Sequence, residues 1–183
     1  MIDDLLGMLL LLAPAGIANT APVWFAKLPY IKHWNTPLDF GKSWRGIRIF
    51  GQNKTWRGLL SGALVGALIG LIQWFFIDQS QWLADIDLLQ GEMNIVLFGA
   101  ITGLFALIGD AVESFFKRRA GVRPGKPWVP FDQTDYILGA YVFIGLTLDL
   151  TPTQYVLGLL SYTLFHPIVS YAGYLLKIKK DPF

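Results

Sequence analysis

The sequence predicts an all-α integral membrane protein: five transmembrane helices in a single domain, residues 1–183, with the N-terminus outside, the C-terminus in the cytoplasm and two long cytoplasmic loops. Three observations predict it. Hydrophobic residues make up 54% of the chain and charged ones only 15%, well off the balance of a soluble domain. The apolar residues gather into five stretches that lack the alternation of barrel strands, and helices satisfy backbone groups where no water can. Every basic residue falls on one side of the five spans.

The stretches are 2–18, 59–77, 95–116, 136–148 and 155–176. A hydrocarbon core of about 30 Å takes roughly 20 helical residues, so the second, third and fifth span comfortably. The first, interrupted by Asp3 and Asp4, and the fourth are short and need neighbouring residues or a thinned bilayer. Lys and Arg number seven in the segment 20–58, five in 117–135 and three in the tail (Lys177, Lys179, Lys180), which accounts for all fifteen. The other side carries Asp78, Asp85, Asp87, Glu92 and Asp149 and no base. The net charge of +2 is therefore a cancellation between a basic face and an acidic one, and the basic face is the cytoplasmic one of a multi-pass protein of the cell (inner) membrane. The run Leu9 to Leu12 followed by Ala13-Pro14-Ala15 imitates a signal peptide, but Asp3 and Asp4 stand where a signal needs positive charge, so an uncleaved first span is expected.

The length leaves no room for a separate soluble catalytic domain, and the lack of cysteine excludes disulfides, thiolate nucleophiles and Cys-ligated zinc. On the second span Gly62, Gly66 and Gly70 form a ridge at four-residue spacing, which suits close packing inside the bundle or, in the second reading, a homodimer.

Candidate functional residues concentrate at the inner end of the third span. Helical spacing puts Asp110, Glu113, Ser114 and Lys117 on one face, followed by Arg118 and Arg119. Acids at membrane depth cost a few kcal/mol, so they need a partner, a metal or water. Glu113 paired to Lys117, with the basic run anchoring the boundary, is the plainer reading of the span end; Asp110, a turn further in, favours function. The loop beyond, rich in Pro and Gly, leads to Asp132 and Asp135 at the start of the fourth span. These acids either cap that helix or meet Asp110, and three converging carboxylates are hard ligands for Mg²⁺.

The first loop holds a near-repeat, Lys42-Ser43-Trp44-Arg45-Gly46 and Lys54-Thr55-Trp56-Arg57-Gly58. A Walker A reading of Gly41-Lys42-Ser43 fails, because Thr36 stands where a glycine is needed and no strand precedes it. Two readings stand equal for the repeat: interfacial Trp with Lys/Arg on anionic headgroups, or a site for a polyphosphate or lipid phosphate. Asn19 caps the first helix or faces the bundle, and His166-Pro167 marks a kink rather than a catalytic base.

Taken in order, Pro14-Ala15 with Ala18-Asn19 and Pro22-Val23, Gly51-Gln52-Asn53-Lys54-Thr55-Trp56-Arg57-Gly58, Gly109-Asp110 with Ser114 to Arg119, and Pro124-Gly125 with Asp132 to Asp135 resemble the CDP-archaeol synthase family, relatives of phosphatidate cytidylyltransferase. The resemblance covers most of the chain. It implies a five-helix, Mg²⁺-dependent membrane enzyme with two catalytic cytoplasmic loops, joining CTP to a lipid phosphate (2,3-bis-O-geranylgeranylglycerol phosphate or a phosphatidate-like lipid) and releasing pyrophosphate. It implies catalytic roles for Asp110, Asp132, Asp135 and Lys117, a metal on the three aspartates, and substrate contacts from Lys54, Thr55, Arg57, Ser114, Arg118, Arg119 and Asn19. The partners expected are CTP, the lipid phosphate and the bilayer, with no nucleic acid. The chain departs from the family pattern at Lys42 to Gly46 and at Glu113, an acid where none is fixed. Apolar walls accept ether or ester chains alike. The rival from another class is a noncatalytic lipid-binding or transport subunit, which would consume no CTP; the long Asp-rich motif of CDP-alcohol phosphotransferases is missing.

Overall fold

The computed structural model describes residues 1–123 and 126–177; Pro124-Gly125 and the tail lysines Lys179 and Lys180 lie outside the described residues. Among the described residues, seven helices and one hairpin follow in the order α1 (Ile2–Ala18), α2 (Ala21–Phe25), β1 (Ser43–Trp44), β2 (Ile47–Arg48), α3 (Trp56–Gln79), α4 (Gln81–Ile86), α5 (Ile95–Arg119), α6 (Phe131–Thr147) and α7 (Pro152–Leu175). Four helical stretches are long and apolar enough to cross a membrane: Ile2–Phe25, Trp56–Gln79, Ile95–Arg119 and Pro152–Leu175. The first runs past Ala18 through the short α2, which lengthens a stretch that looked marginal from its apolar residues alone. Helix α6, with 17 residues, is only about 25 Å long and falls short of that measure. One face of it is buried in the bundle, with Ile137, Ala140 and Ile144 fully covered, while Leu138, Val142 and Leu146 on the other face are exposed.

The all-α expectation needs one correction, the β1–β2 hairpin in the first loop, paired Ser43 to Arg48 and Trp44 to Ile47. Its turn residues Arg45 and Gly46 have φ of 53° and 77°, the two left-handed positions that a tight two-residue hairpin requires. The two copies of the pentapeptide repeat thus adopt different structures. The first makes this turn, while in the second Thr55 caps α3, its hydroxyl accepting from the Gly58 N–H at 3.1 Å.

Helix α5 is central, packed on α3 along one face and α6 along another. The glycine ridge on α3 meets Gly99 and Gly103 of α5. A Cβ on Gly66 would lie 2.1 Å from the Gly99 carbonyl oxygen, and one on Gly103 would lie 2.4 Å from that of Gly62. The ridge is thus an internal seam, and it leaves these small residues buried rather than facing a second copy. Met8, Leu12 and Ala15 of α1 bury against Phe98, Ile137, Ala140 and Ile144.

Proline inside α1 has a specific remedy. Pro14 has no N–H for the Leu10 carbonyl four residues back, and the Gln73 side chain of α3 donates to that oxygen at 2.6 Å. The Tyr162 hydroxyl of α7 donates to the neighbouring Leu9 carbonyl at 2.7 Å. Helix α7 is the least embedded of the long helices and is held by such tyrosine bonds, including Tyr136 to the Tyr162 carbonyl at 3.0 Å and Tyr141 to the Tyr155 carbonyl at 2.8 Å.

Replacing Gln73 by Leu is expected to leave the Leu10 carbonyl without a partner in an apolar setting and to cost about 1–3 kcal/mol. Unfolding in detergent micelles measures this; a midpoint equal to that of the parent protein would show that the bond carries no net stability. Leu68→Ala, on the exposed face of α3, is the control and should cost much less.

Candidate active site

The α5–α6 crossing is made by two facing glycines. A Cβ on Gly109 would come within 2.3 Å of the Asp135 carbonyl oxygen and 2.8 Å of the Gly139 Cα; one on Gly139 would come within 2.3 Å of the Phe105 carbonyl oxygen. This approach sets Asp110, next to Gly109, beside Asp135, one turn before Gly139. One carboxylate oxygen each from Asp110, Glu113 and Asp135 lie within 4.8 Å of one another.

Basic groups from two other segments close around these acids. The Lys54 Nζ, at the end of the first loop, donates to both Asp110 oxygens at 2.6 Å. Burial works against the Lys54 ammonium, but Asp110, then Asp135 and Glu113, outweigh it and hold its pKa above the ordinary lysine value, so it stays charged at neutral pH. The Lys117 ammonium pairs with Asp132 and stands 3.8 Å from Glu113. The second Asp132 oxygen accepts the Trp128 N–H at 2.5 Å. Asp132 was expected beside Asp110 and Asp135; it stands instead in the first turn of α6, bound to Lys117, and Glu113 takes the third place in the cluster.

These groups form the polar end of a cleft of about 1140 Å³. That exceeds the roughly 300–1,000 Å³ typical of a single small-molecule pocket. Asn19, Lys54, Thr55, Asp110, Ser114, Lys117, Arg118, Asp132 and Asp135 all line it, while Leu9, Ile17, Val23, Tyr162, Phe165 and Val169 of α1, α2 and α7 form its apolar wall. Asn19 reaches it from the C-terminal cap of α1. The cleft therefore offers charge at one end and hydrocarbon at the other, and the hard oxygen donors of its acid group suit a divalent cation.

Arg57 and Arg119 are not among the residues that line the cleft. The Arg57 Nη1 donates to the carbonyls of Ile31 (3.3 Å) and Lys32 (2.8 Å) and to the Asn35 Oδ1 (2.8 Å), bolting the first loop to α3. Arg119 lies over the Phe115 ring, 3.3 Å from its centroid, and over Trp44 at 4.9 Å, and its Nη1 donates to the Ile49 carbonyl. The loop is organised further by Asp39, which sequence reasoning missed. Its carboxylate accepts from the backbone N–H groups of Gly41, Phe50 and Gly51 and pairs with Arg48 at 3.2 Å. The available signal was Asp39 followed two residues later by Gly41, the spacing of an Asx turn.

Burial would raise the Asp39 pKa, but the Arg48 hydrogen bond and those backbone donors dominate and lower it to about 2. Since the folded value lies below the unfolded one, this stabilisation is complete above about pH 4 and is lost as pH falls towards 2. Asp39→Asn is expected to cost about 2 kcal/mol at pH 7, with the gap to the parent closing below pH 4. Thermal unfolding across that range checks it, and a gap independent of pH would contradict it.

Fold and cleft together define a multi-pass membrane enzyme with a charged site at one end of its helices. The CarS-like CDP-archaeol synthase family model matches residues 1–183. Relatives named CDP-archaeol synthase include one from Pyrococcus furiosus, 40% identical over 172 residues, covering 93% of both chains. Another, from Saccharolobus islandicus, is 34% identical over 184 residues, covering 98% of this chain and 97% of the relative. A solved structure of an intramembrane enzyme for archaeal membrane lipids biosynthesis is similar with a TM-score of 0.69 and 32% identity, over 88% of this chain and 90% of that one. The chain belongs to the CDP-archaeol synthase family.

Proposed function

We propose that this enzyme transfers CMP from CTP to an archaeal ether-lipid phosphate, 2,3-bis-O-geranylgeranylglycerol phosphate, giving a CDP-lipid and pyrophosphate for phospholipid synthesis. The observation that carries the reading is the two-ended cleft, with carboxylates and ammonium groups at one end and the apolar wall of α1, α2 and α7 at the other. Family membership and the names of the relatives support it.

A phosphate oxygen of the lipid attacks the α-phosphorus of CTP, and the bond from that phosphorus to the bridging oxygen of the β-phosphate breaks. The lipid phosphate is ionised at neutral pH, so the site needs positioning and charge screening more than a strong base. In this reading Asp110 and Asp135 hold Mg²⁺, which supplies Lewis-acid screening of the triphosphate when bound. Lys54, Lys117 and Arg118 face the cleft and neutralise the charge that grows on the departing pyrophosphate. Asp132, expected from the sequence as a metal ligand, acts here by holding Lys117 in place. Ser114, Thr55 and Asn19 line the same end as hydrogen-bonding groups. Thr55 does so while its hydroxyl caps α3.

The proposed topology has α6 as the fifth crossing and the charged end facing the cytoplasm, in keeping with the basic first and third loops and with cytosolic CTP. The lipid enters laterally past α7, the least embedded long helix.

The test incubates purified protein with labelled CTP, Mg²⁺ and a panel of ether- and ester-linked lipid phosphates, scoring labelled lipid. Product from the ether lipid is expected, lost on chelation with EDTA. Asp110→Asn and Asp135→Asn should each lower kcat by about 100-fold or more in folded protein. No CTP consumption with any lipid phosphate, or full activity in both variants, would overturn the reading.

A further inference from the structure

We infer that Glu113 is the third carboxylate ligand of the divalent cation, completing with Asp110 and Asp135 the place that the sequence pattern assigns to Asp132. This rests on the proposed metal-dependent transfer and deepens it by naming a ligand that the motifs of the resemblance do not include.

The first support is placement. Glu113 follows Asp110 by three residues on α5 and so shares its helix face, and an oxygen of each lies within 4.8 Å of the other and of one from Asp135. Two oxygens on one Mg²⁺ stand about 2.9–4.2 Å apart, given bonds of about 2.0–2.1 Å. Small side-chain adjustments therefore close the group on an ion.

The second support is the state of each carboxylate. The Glu113 side chain is only 7% exposed, and its Oε1 has no hydrogen-bond partner. The Lys117 ammonium, at 3.8 Å, is beyond hydrogen-bond reach of that oxygen. A buried carboxylate oxygen without a donor is costly, and a cation is its natural partner. Asp132, whose carboxyl touches that of Glu113, has donors on both oxygens, Lys117 on one and the Trp128 N–H on the other. Asp110 holds Lys54 through both oxygens, but a carboxylate has about four lone-pair positions, so a metal can share it. Asp135 accepts the Tyr136 N–H through Oδ1.

The third support is charge. Asp110, Glu113, Asp132 and Asp135 carry a formal charge of −4 against +2 from Lys54 and Lys117, which leaves the charge that one divalent ion balances. Arg118 also lines the cleft, but among the described residues it forms no ion pair with these acids. Replacing Glu113 by a neutral residue removes both a ligand and half of that surplus charge.

The experiment titrates Mn²⁺ alone into the full-length detergent-solubilised protein, with electron paramagnetic resonance counting free ion. Glu113→Gln is expected to weaken Mn²⁺ binding at least tenfold, while Asp132→Asn, which removes the same charge but no ligand, weakens it by a clearly smaller factor. Glu113→Asp keeps the charge but withdraws the oxygen by one methylene, so it guards against a Gln variant that fails to fold; it too should bind at least tenfold more weakly. Binding equal to the parent in either Glu113 variant, a larger loss in Asp132→Asn, or a parent protein that binds no Mn²⁺ would overturn the assignment. CDP-lipid formation by the parent protein is measured separately. If it fails while the Mn²⁺ pattern holds, the functional reading falls and the ligand assignment stands.

Discussion

The backbone contact between Gly109 and Gly139 is the constraint on which the site depends. Any side chain at either position would push α5 and α6 apart, since the nearest carbonyl oxygens would lie 2.3 Å from the added carbon. Without side chains the helices touch, and the acids on either side of the contact face the same space. Like charges at that spacing repel, so the arrangement also requires cations. Lys54 supplies one from a loop far away in sequence, and Lys117 supplies another from the last turn of α5. The ion pairs therefore tie the first loop and the α6 start to the bundle, so that the charge balance of the site is also a structural tie.

The same economy governs the rest of the molecule. Few polar groups lie within the apolar middle of the helices, and several of them meet a defined partner. Gln73 serves the carbonyl freed by Pro14, and tyrosines secure α7. Around the site the cations divide by what they face. Arg57 and Arg119 are committed to backbone carbonyls and rings and fix the loop, whereas Lys54, Lys117 and Arg118 face the cleft. Loop order at Asp39 is thus upstream of the chemistry, because it shapes the segment that delivers Lys54.

Much of this was legible in the sequence. Hydrophobic stretches located the long helices, and helical spacing put Asp110, Ser114 and Lys117 on one face of α5. The first stretch was drawn short because Thr20 and Pro22 interrupt its apolar run, although the chain stays helical around them. The hairpin was missed because its repeat sequence also begins α3, and only the backbone at Arg45 and Gly46 separates the two copies. The contacts that Arg57 and Arg119 make with loop carbonyls and rings were not legible, because a motif records residue type and not the direction in which a side chain points. Glu113 stands within ion-pair distance of Lys117, as the i, i+4 spacing implies; only the α6 register shows that Asp132 makes the shorter contact with that lysine and that Glu113 also stands among the acids. Pairing between distant segments, as in Lys54 with Asp110, has no local signature at all.

In the proposed reading, this member of the CDP-archaeol synthase family unites a water-soluble nucleotide and a membrane-bound phosphate at the charged part of its cleft, where the approach of α5 and α6 sets the acids. The most direct measurement is labelled CTP incorporation into lipid by purified Gly139→Ala, with circular dichroism confirming an intact helical bundle. A fall of at least tenfold is expected, because the added methyl must separate Asp135 from Asp110. Incorporation at the parent rate by the folded variant would contradict the claim that this contact builds the catalytic centre.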